Sequence, residues 1–254
     1  MTRSGVGIYD RLADRNALRR WSKIANSASE TPLDQLRLVR ARGKELQKQI
    51  SRVVAAADER SMFQVAGANL IRTANNADWT WRPDVWKTLA TESGSAGLKS
   101  GDMFAGSAKF FHDCDLCENA VRQVQNSRSV DLAAFGLRLD FLGFTGSFFS
   151  VVLDLPASGL TGLSKQHVIR ADIDIVCERN VTIFARLNLK QGPNTETLVV
   201  EIGSDIPAIF DLGYSDVSEN HVDAAWLELI LENPCYNEII FRDLTLCRHP
   251  RAEI

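Results

Sequence analysis

Histidine is scarce in this sequence, with four copies in 254 residues, and that scarcity removes most routes to nucleophilic catalysis. No histidine stands near a turn that would present a serine, and no Gly-x-Ser-x-Gly occurs. No Walker loop and no glycine fingerprint for dinucleotides is present. Five cysteines supply one Cys-x-x-Cys, Cys114 to Cys117, and no second pair. Zinc wants four soft or imidazole ligands, yet Cys177, Cys235, Cys247, His221 and His249 are scattered singles. No metal and no cofactor is therefore expected. A thioredoxin-type role would need a strand before the pair and a helix after it, and the neighbourhood is loop-rich.

Long apolar runs are also missing. The most apolar window, 135–156, is broken by Arg138, Asp140 and Asp154, so no bilayer-spanning helix is expected. The first seven residues lack the apolar run of a signal peptide. Free thiols then fit a reducing compartment, and the expectation is a cytoplasmic protein, or one peripheral to the inner membrane. There is no internal repeat and no low-complexity tract.

What remains is ordinary globular composition, 45% hydrophobic and 24% charged, enough to bury a core. The net charge of −3 hides a split. Residues 1–60 hold thirteen Lys and Arg against seven Asp and Glu, a balance of +6, and the remainder carries −9. The first segment is thus suited to an acidic partner or anionic surface, which includes the chain's own acidic remainder.

That segment reads as two helices. Ile8, Leu12, Leu18, Trp21 and Ile24 recur at helical spacing, ringed by Arg11, Arg15, Arg19, Arg20 and Lys23. Thr31-Pro32 starts a second helix, with Thr31 as cap, Pro32 at the first position and Asp34 facing the helix dipole. It is expected to run to about Arg60. Leu36, Val39, Gly43, Leu46, Ile50, Val53 and Ala57 form a heptad seam that wants a partner helix. The partner is either the first helix, folded back as a hairpin, or a second copy in a coiled coil. Arg11, Arg15, Arg19, Arg20 and Trp21 are the candidate docking residues of this arm. Nucleic acid is not the expected partner, because basic residues there are not interleaved with aromatics.

From Val130 onward the pattern is strand after strand. Ile169, Ala171, Ile173 and Ile175 alternate with Arg170, Asp172 and Asp174, and Ile183 to Leu189 alternates likewise. Such period-two runs, separated by turns such as 191–194, indicate an antiparallel sandwich or barrel with one wet face per strand. The expected organisation is a basic helical arm at 1–60, a tryptophan-containing connector with the first strands at 61–129, and an antiparallel β-sandwich at 130–254. Residues 91–106, rich in Ser and Gly, read as loop. Ile173, Ile175, Ile183, Leu187, Leu227 and Leu229 are expected core.

Two resemblances follow from particular phrases. Asp78-Trp79-Thr80-Trp81-Arg82-Pro83, the stretch 186–194, Ala225-Trp226-Leu227-Glu228-Leu229 and the tail 248–253 resemble an uncharacterised family of bacterial proteins found mainly in alphaproteobacteria, over roughly residues 75–254. That family brings no activity with it. The ending 238–246, an apolar strand with Asp243 in its middle, is similar to the last strand of galactose-binding-like jelly rolls. This resemblance implies a jelly-roll-like sandwich, and such sandwiches mostly bind glycans or serve as accessory modules.

Arg186, Asn188 and Lys190 share one strand face beside the turn that ends in Asn194, and Trp226 stands on another strand. With Arg186, Asn188, Lys190, Asn194 and Trp226 able to bond hydroxyls or stack on a ring, this is the candidate ligand face. The plainer reading is a solvated sheet face. Trp79, Trp81 and Trp86 are candidates for a stacking platform, or else pack the arm onto the sandwich. The function expected is a non-catalytic binding or scaffold protein with a glycan ligand, a docking arm and self-association among its options. The rivals are a carbohydrate-active enzyme using strand-borne carboxylates and a peripheral membrane protein attached through the first helix.

Overall fold

The computed structural model describes residues 8–65, 71, 73, 76–116, 118–128, 130–203, 206–217 and 222–251. The chain divides into two compact units between Ala57 and Asp58.

The first unit contains α1 (Ile8–Asn26) and most of α2 (Leu33–Val65). α2 thus runs five residues past its expected end. A turn at 27–32 joins the helices, and Leu36 N–H bonds the carbonyl of Pro32, so Pro32 stands at the cap and not at the first helical position, while the Thr31 hydroxyl, expected to cap, donates to the Ser27 carbonyl. The Trp21 ring lies 3.5 Å from where a Cβ on Gly43 would stand, so the two helices meet at that glycine. Trp21, Ile24, Leu36 and Val39 are half-buried, whereas Leu46, Ile50 and Val53 of the same seam are exposed. The seam is covered only in its first half. Arg15, Arg19, Arg20 and Lys23 are exposed on α1.

The second unit is a jelly-roll-like antiparallel sandwich. Its elements in chain order are β1 (Trp79–Trp81), α3 (Asp84–Lys87), β2 (Gly94–Ala96), β3 (Met103–Phe104), β4 (Ala108–His112), β5 (Glu118–Gln125), β6 (Phe135–Gly143) and β7 (Phe148–Asp154). There follow α4 (Ala157–Leu160), β8 (His167–Cys177), β9 (Ile183–Gln191), β10 (Asn194–Glu201), β11 (Ala208–Asp211), β12 (Ala224–Glu232) and β13 (Asn237–Pro250). One sheet has the order β11-β8-β13-β6-β5-β2, with β1 also paired to β13; the other has the order β10-β9-β12-β7-β4-β3. The pairings within both sheets are antiparallel.

The sandwich therefore begins near Trp79, not at Val130, because β1 to β5 are shared between its two sheets. The Ser/Gly-rich stretch 91–106, expected to be loop, contributes the short strands β2 and β3. Their two or three residues are too few to show a period.

Alternation puts one face of each strand into the core. Leu187, Leu227 and Leu229 have no exposed surface and Ile183 is 5% exposed, as expected of core positions. Ile173 and Ile175 are only half-buried at the edge of the core. Phe141, Phe144 and Phe149 pack edge to face, with centroids 5.0 to 6.3 Å apart.

The sandwich is closed by β1 lying on β13. Asp78 accepts two bonds from Arg248, and Arg82 pairs in two-pronged fashion with Asp243. The motif at 78–83 thus meets the tail and the mid-strand aspartate, residues far apart in sequence. Trp86 is fully buried and its indole N–H donates to the Phe241 carbonyl. Trp79 stacks with Trp81 at 6.3 Å and donates to Ser158 Oγ. A Cβ on Gly159 would stand 2.6 Å from the Trp79 ring, so only glycine lets α4 approach it. These three tryptophans fasten β1 and α3 to the sandwich and form no open platform.

Candidate functional site

The outward positions of β9, β10, β12, β7 and β4 line up in rows across the second sheet. One row is Thr197, Asn188, Trp226 and Asp154. The next is Val199, Arg186, Glu228, Val152 and Lys109, and a third is Glu201, Phe184, Ile230, Ser150 and Phe111. Thr195, Lys190 and Ala224 lie on the other side of the Trp226 row.

The centre of this face is sunken. Asn188, Glu228, Val152 and Ser150 are buried although they point away from the core, while Lys190 and Asp154 are exposed. Arg186 donates through Nε to Glu228 Oε2 at 2.9 Å, and its second nitrogen reaches the same oxygen. The other oxygen of Glu228 carries no hydrogen bond from the described residues. Thr197 donates to Asn188 Oδ1 at 3.1 Å, and Lys109 binds Asp154 at 2.6 Å. Trp226 is half-buried between the Asn188 and Asp154 strands.

The arrangement gives the Trp226 ring flanked by two ion pairs and a carboxamide, with Phe184 and Phe111 two rows away. An indole packs the C–H face of a sugar, and the fixed polar groups bond its hydroxyls. Of the sequence-derived candidates, Arg186, Asn188, Lys190 and Trp226 are brought onto this face. Asn194 is not. It pairs with Gln191 at the end of the β9–β10 hairpin, where Gly192 takes φ of +56°, and it has the parity of the inward positions. Glu228, Asp154 and Lys109 also belong to the face. Only the pairing of β12 with β9 and of β7 with β4 shows it, because the partners lie 42 and 45 residues apart in sequence.

In the arm, Arg15, Arg19 and Arg20 are exposed, Trp21 turns toward Gly43, and the side chain of Arg11 lies outside the described residues. The His-Asp-Cys motif has a structural use. His112 stacks on Phe149, its Nδ1 accepts from Cys114 N–H, and its Nε2 lies 2.9 Å from the Leu98 carbonyl. Asp113 accepts from Ser147 Oγ and from two backbone N–H groups at the start of β7. The Ser147 bond, foremost, holds that carboxyl below its usual range. Burial pushes the Cys114 thiol up, but bonds from Thr145 and its neighbours outweigh it and leave a net lowering. Cys117 and His221 lie outside the described residues, among which no group of three or more His, Cys, Asp or Glu gathers to hold a metal. No described helix is long and apolar enough to cross a membrane.

A family model matches residues 1–254 and is described as a family of unknown function, DUF6478. The chain belongs to that family. The match takes in the helical arm as well as the sandwich, so it extends beyond the stretch 75–254 that the sequence phrases marked. Comparison with the curated proteins found no match.

Among solved structures, the chain is similar to the CBM22-1 xylan-binding domain of Paenibacillus barcinonensis Xyn10C. The identity is 10% and the TM-score 0.36, over 64% of this chain and 100% of that one. It is also similar to a family 11 carbohydrate-binding module of a Clostridium thermocellum cellulosomal cellulase, at 13% identity and TM-score 0.35, over 65% and 99%. A third similarity is to the enzymatically active domain of tailspike protein 4 of bacteriophage CBA120, at 7% identity and TM-score 0.38, over 59% of this chain. The chain spans 21% of that tailspike structure.

Proposed function

We propose that this protein is a non-catalytic glycan-binding protein. The outer face of the β9–β12–β7 sheet takes the sugar, and the basic two-helix arm attaches the sandwich to an acidic partner or anionic surface. The observation that carries the reading is the row centred on Trp226, with Asn188 beside it and the Arg186–Glu228 pair on the next row. Glu228 is 6% exposed and keeps one carboxylate oxygen without a donor, which a sugar hydroxyl would supply. Arg186 holds the other oxygen, so the acceptor is fixed in place before the ligand arrives. Lys109 and Asp154 border the face and would orient a second ring.

The test is a glycan array followed by calorimetry on the hits. Trp226→Ala should weaken binding by about tenfold or more, in line with loss of one stacked ring of roughly 1–3 kcal/mol. Glu228→Gln should weaken it with little change in fold. Glycan binding that survives both substitutions would move the site elsewhere and refute the assignment.

A further inference from the structure

We infer that the sugar taken by the Trp226 face carries an apolar substituent, so that the ligand is an alkyl- or acyl-bearing glycoside and not a bare saccharide. The inference rests on the glycan reading of that face and deepens it. Its basis is a change of polarity along the strands. The Trp226 row offers the polar groups of Thr197, Asn188 and Asp154. The next row mixes the Arg186–Glu228 pair with Val199 and Val152. The row after that runs Phe184, Ile230, Ser150 and Phe111 from β9 to β4. Phe111 is exposed, and Phe184 and Ile230 are half-buried. Ser150, the polar member, is fully buried and its hydroxyl donates to the Phe111 carbonyl at 3.4 Å. Between Phe184 and Phe111 this row therefore presents apolar surface alone.

The spacing joins the two halves of the face into one site. Successive rows lie two residues, about 7 Å, apart. One sugar ring thus bridges from the Trp226 indole to the open oxygen of Glu228. A group attached to the far side of that ring lies over Ile230, two residues further along the same strand. Hydroxyls there would give up water and find no partner, whereas methylenes gain by leaving it.

The size of the apolar row selects a small occupant. It crosses β9, β12, β7 and β4, three strand spacings or about 14 Å. One row deep, that is on the order of 100 Å², against about 800 Å² on each partner of a stable protein interface. Glu201 closes the row on β10, and Glu232 follows Ile230 on β12, both exposed. These carboxylates confine an apolar group to the strip between Phe184 and Phe111. A short alkyl chain or an acyl group fits that strip.

The test uses the full chain in equilibrium dialysis with butyl, hexyl and octyl β-D-glucoside, each below the concentration at which it forms micelles. Full burial of a methylene tightens binding by about fourfold; with one side of the chain left wet, about twofold per methylene is expected, or about tenfold from butyl to octyl. Phe111→Ser and Ile230→Thr should flatten this dependence and leave butyl glucoside near its wild-type affinity. Phe111 is exposed, so its variant should melt as the wild type does. Trp226→Ala should weaken the butyl and octyl compounds alike and keep their ratio. No saturable binding of octyl glucoside, or an affinity independent of chain length, would overturn the inference and give the row to a protein contact, whether the arm or a second copy. So would a chain-length dependence that survives both Phe111→Ser and Ile230→Thr. A dependence lost in those variants but untouched by Trp226→Ala would instead sink the glycan reading and keep the row as an alkyl site.

Discussion

The Arg82–Asp243 pair offers the sharpest test of how the sandwich is closed. The two bonds are 2.8 and 2.7 Å, and the side chains are 1% and 15% exposed. Replacing Arg82 by leucine keeps the aliphatic volume and leaves Asp243 without its guanidinium. Breaking a buried pair in this way typically costs about 3–5 kcal/mol, because one charge stays buried. Replacing both residues by leucine should cost much less than the sum of the single changes, with coupling of roughly 2–3 kcal/mol.

The pH dependence gives a second handle on the same pair. Burial, the largest effect, pushes the Asp243 carboxyl above its ordinary range; Arg82 pulls it down only in part, and Asp174 adds to the rise. An acid whose folded pKa is raised binds its proton more tightly in the folded state. Its stabilising contribution is full below the unfolded pKa and is lost as pH rises through the folded one. Without Arg82 that loss grows, so the deficit of Arg82→Leu should be larger at pH 7 than at pH 5. Urea melts of the wild type, both single variants and the double variant at the two pH values measure all of this. A deficit below about 1 kcal/mol, strict additivity, or a deficit that grows on acidification would refute the account.

Other expectations follow from the same packing. Leu187→Ala should cost about 2–5 kcal/mol in a urea melt, because the side chain is fully buried between the sheets; an unchanged melt would mean the strand faces are reversed. Burial raises the Asp140 carboxyl, but Arg138 and Arg122 outweigh it and lower it overall. Its contribution is therefore present above the unfolded carboxylate range and lost as pH falls through the folded pKa, and Asp140→Asn should narrow the stability difference between pH 7 and pH 3 by no more than about 1 kcal/mol for so accessible a pair. Removing residues 1–60 should leave a soluble sandwich with a cooperative melt and abolish salt-sensitive binding to anionic vesicles, a screened interaction of about 10 Å range at 0.1 M salt; an insoluble product would instead make the arm part of one fold.

The strands that were legible in the sequence are the long alternating ones. β8, β9 and β12 run for nine to eleven residues, enough for period two to stand out. β2 and β3 were not legible, because two or three residues carry no period and their pairing comes from neighbours. Half of the ligand face was visible as the row of Arg186, Asn188 and Lys190, since residues two apart share a face. Glu228, Asp154 and Lys109 were not, because they join it through cross-strand register, which sequence spacing does not encode. The seam of α2 was readable as a heptad, but its exposed second half shows that a pattern does not supply its own partner. Ile173 and Ile175 have the alternation of core residues and yet stay half-buried, on a stretch of β8 beyond the Val168–Ala171 that β11 pairs with.

The position of β13 has a consequence for how the chain is made. The centre of each sheet is filled late: β12 lies between β9 and β7, and β13 lies between β8 and β6. Residues 224–250 are thus the last sandwich strands to leave the ribosome, and until they do, neither sheet has its middle. β1, emerging long before, has to wait for the same strand, since it pairs with β13, and Asp78 and Arg82 bind Arg248 and Asp243 there. A nascent chain halted after β8 and before Asn237 would present β6 and β8 with unpaired facing edges, the situation that invites pairing with other chains. Loop closures of this length come late and slowly, so closure of the sandwich is expected only once residues 237–250 have emerged, with β5 on β6 and β4 on β7 as separate pairs until then.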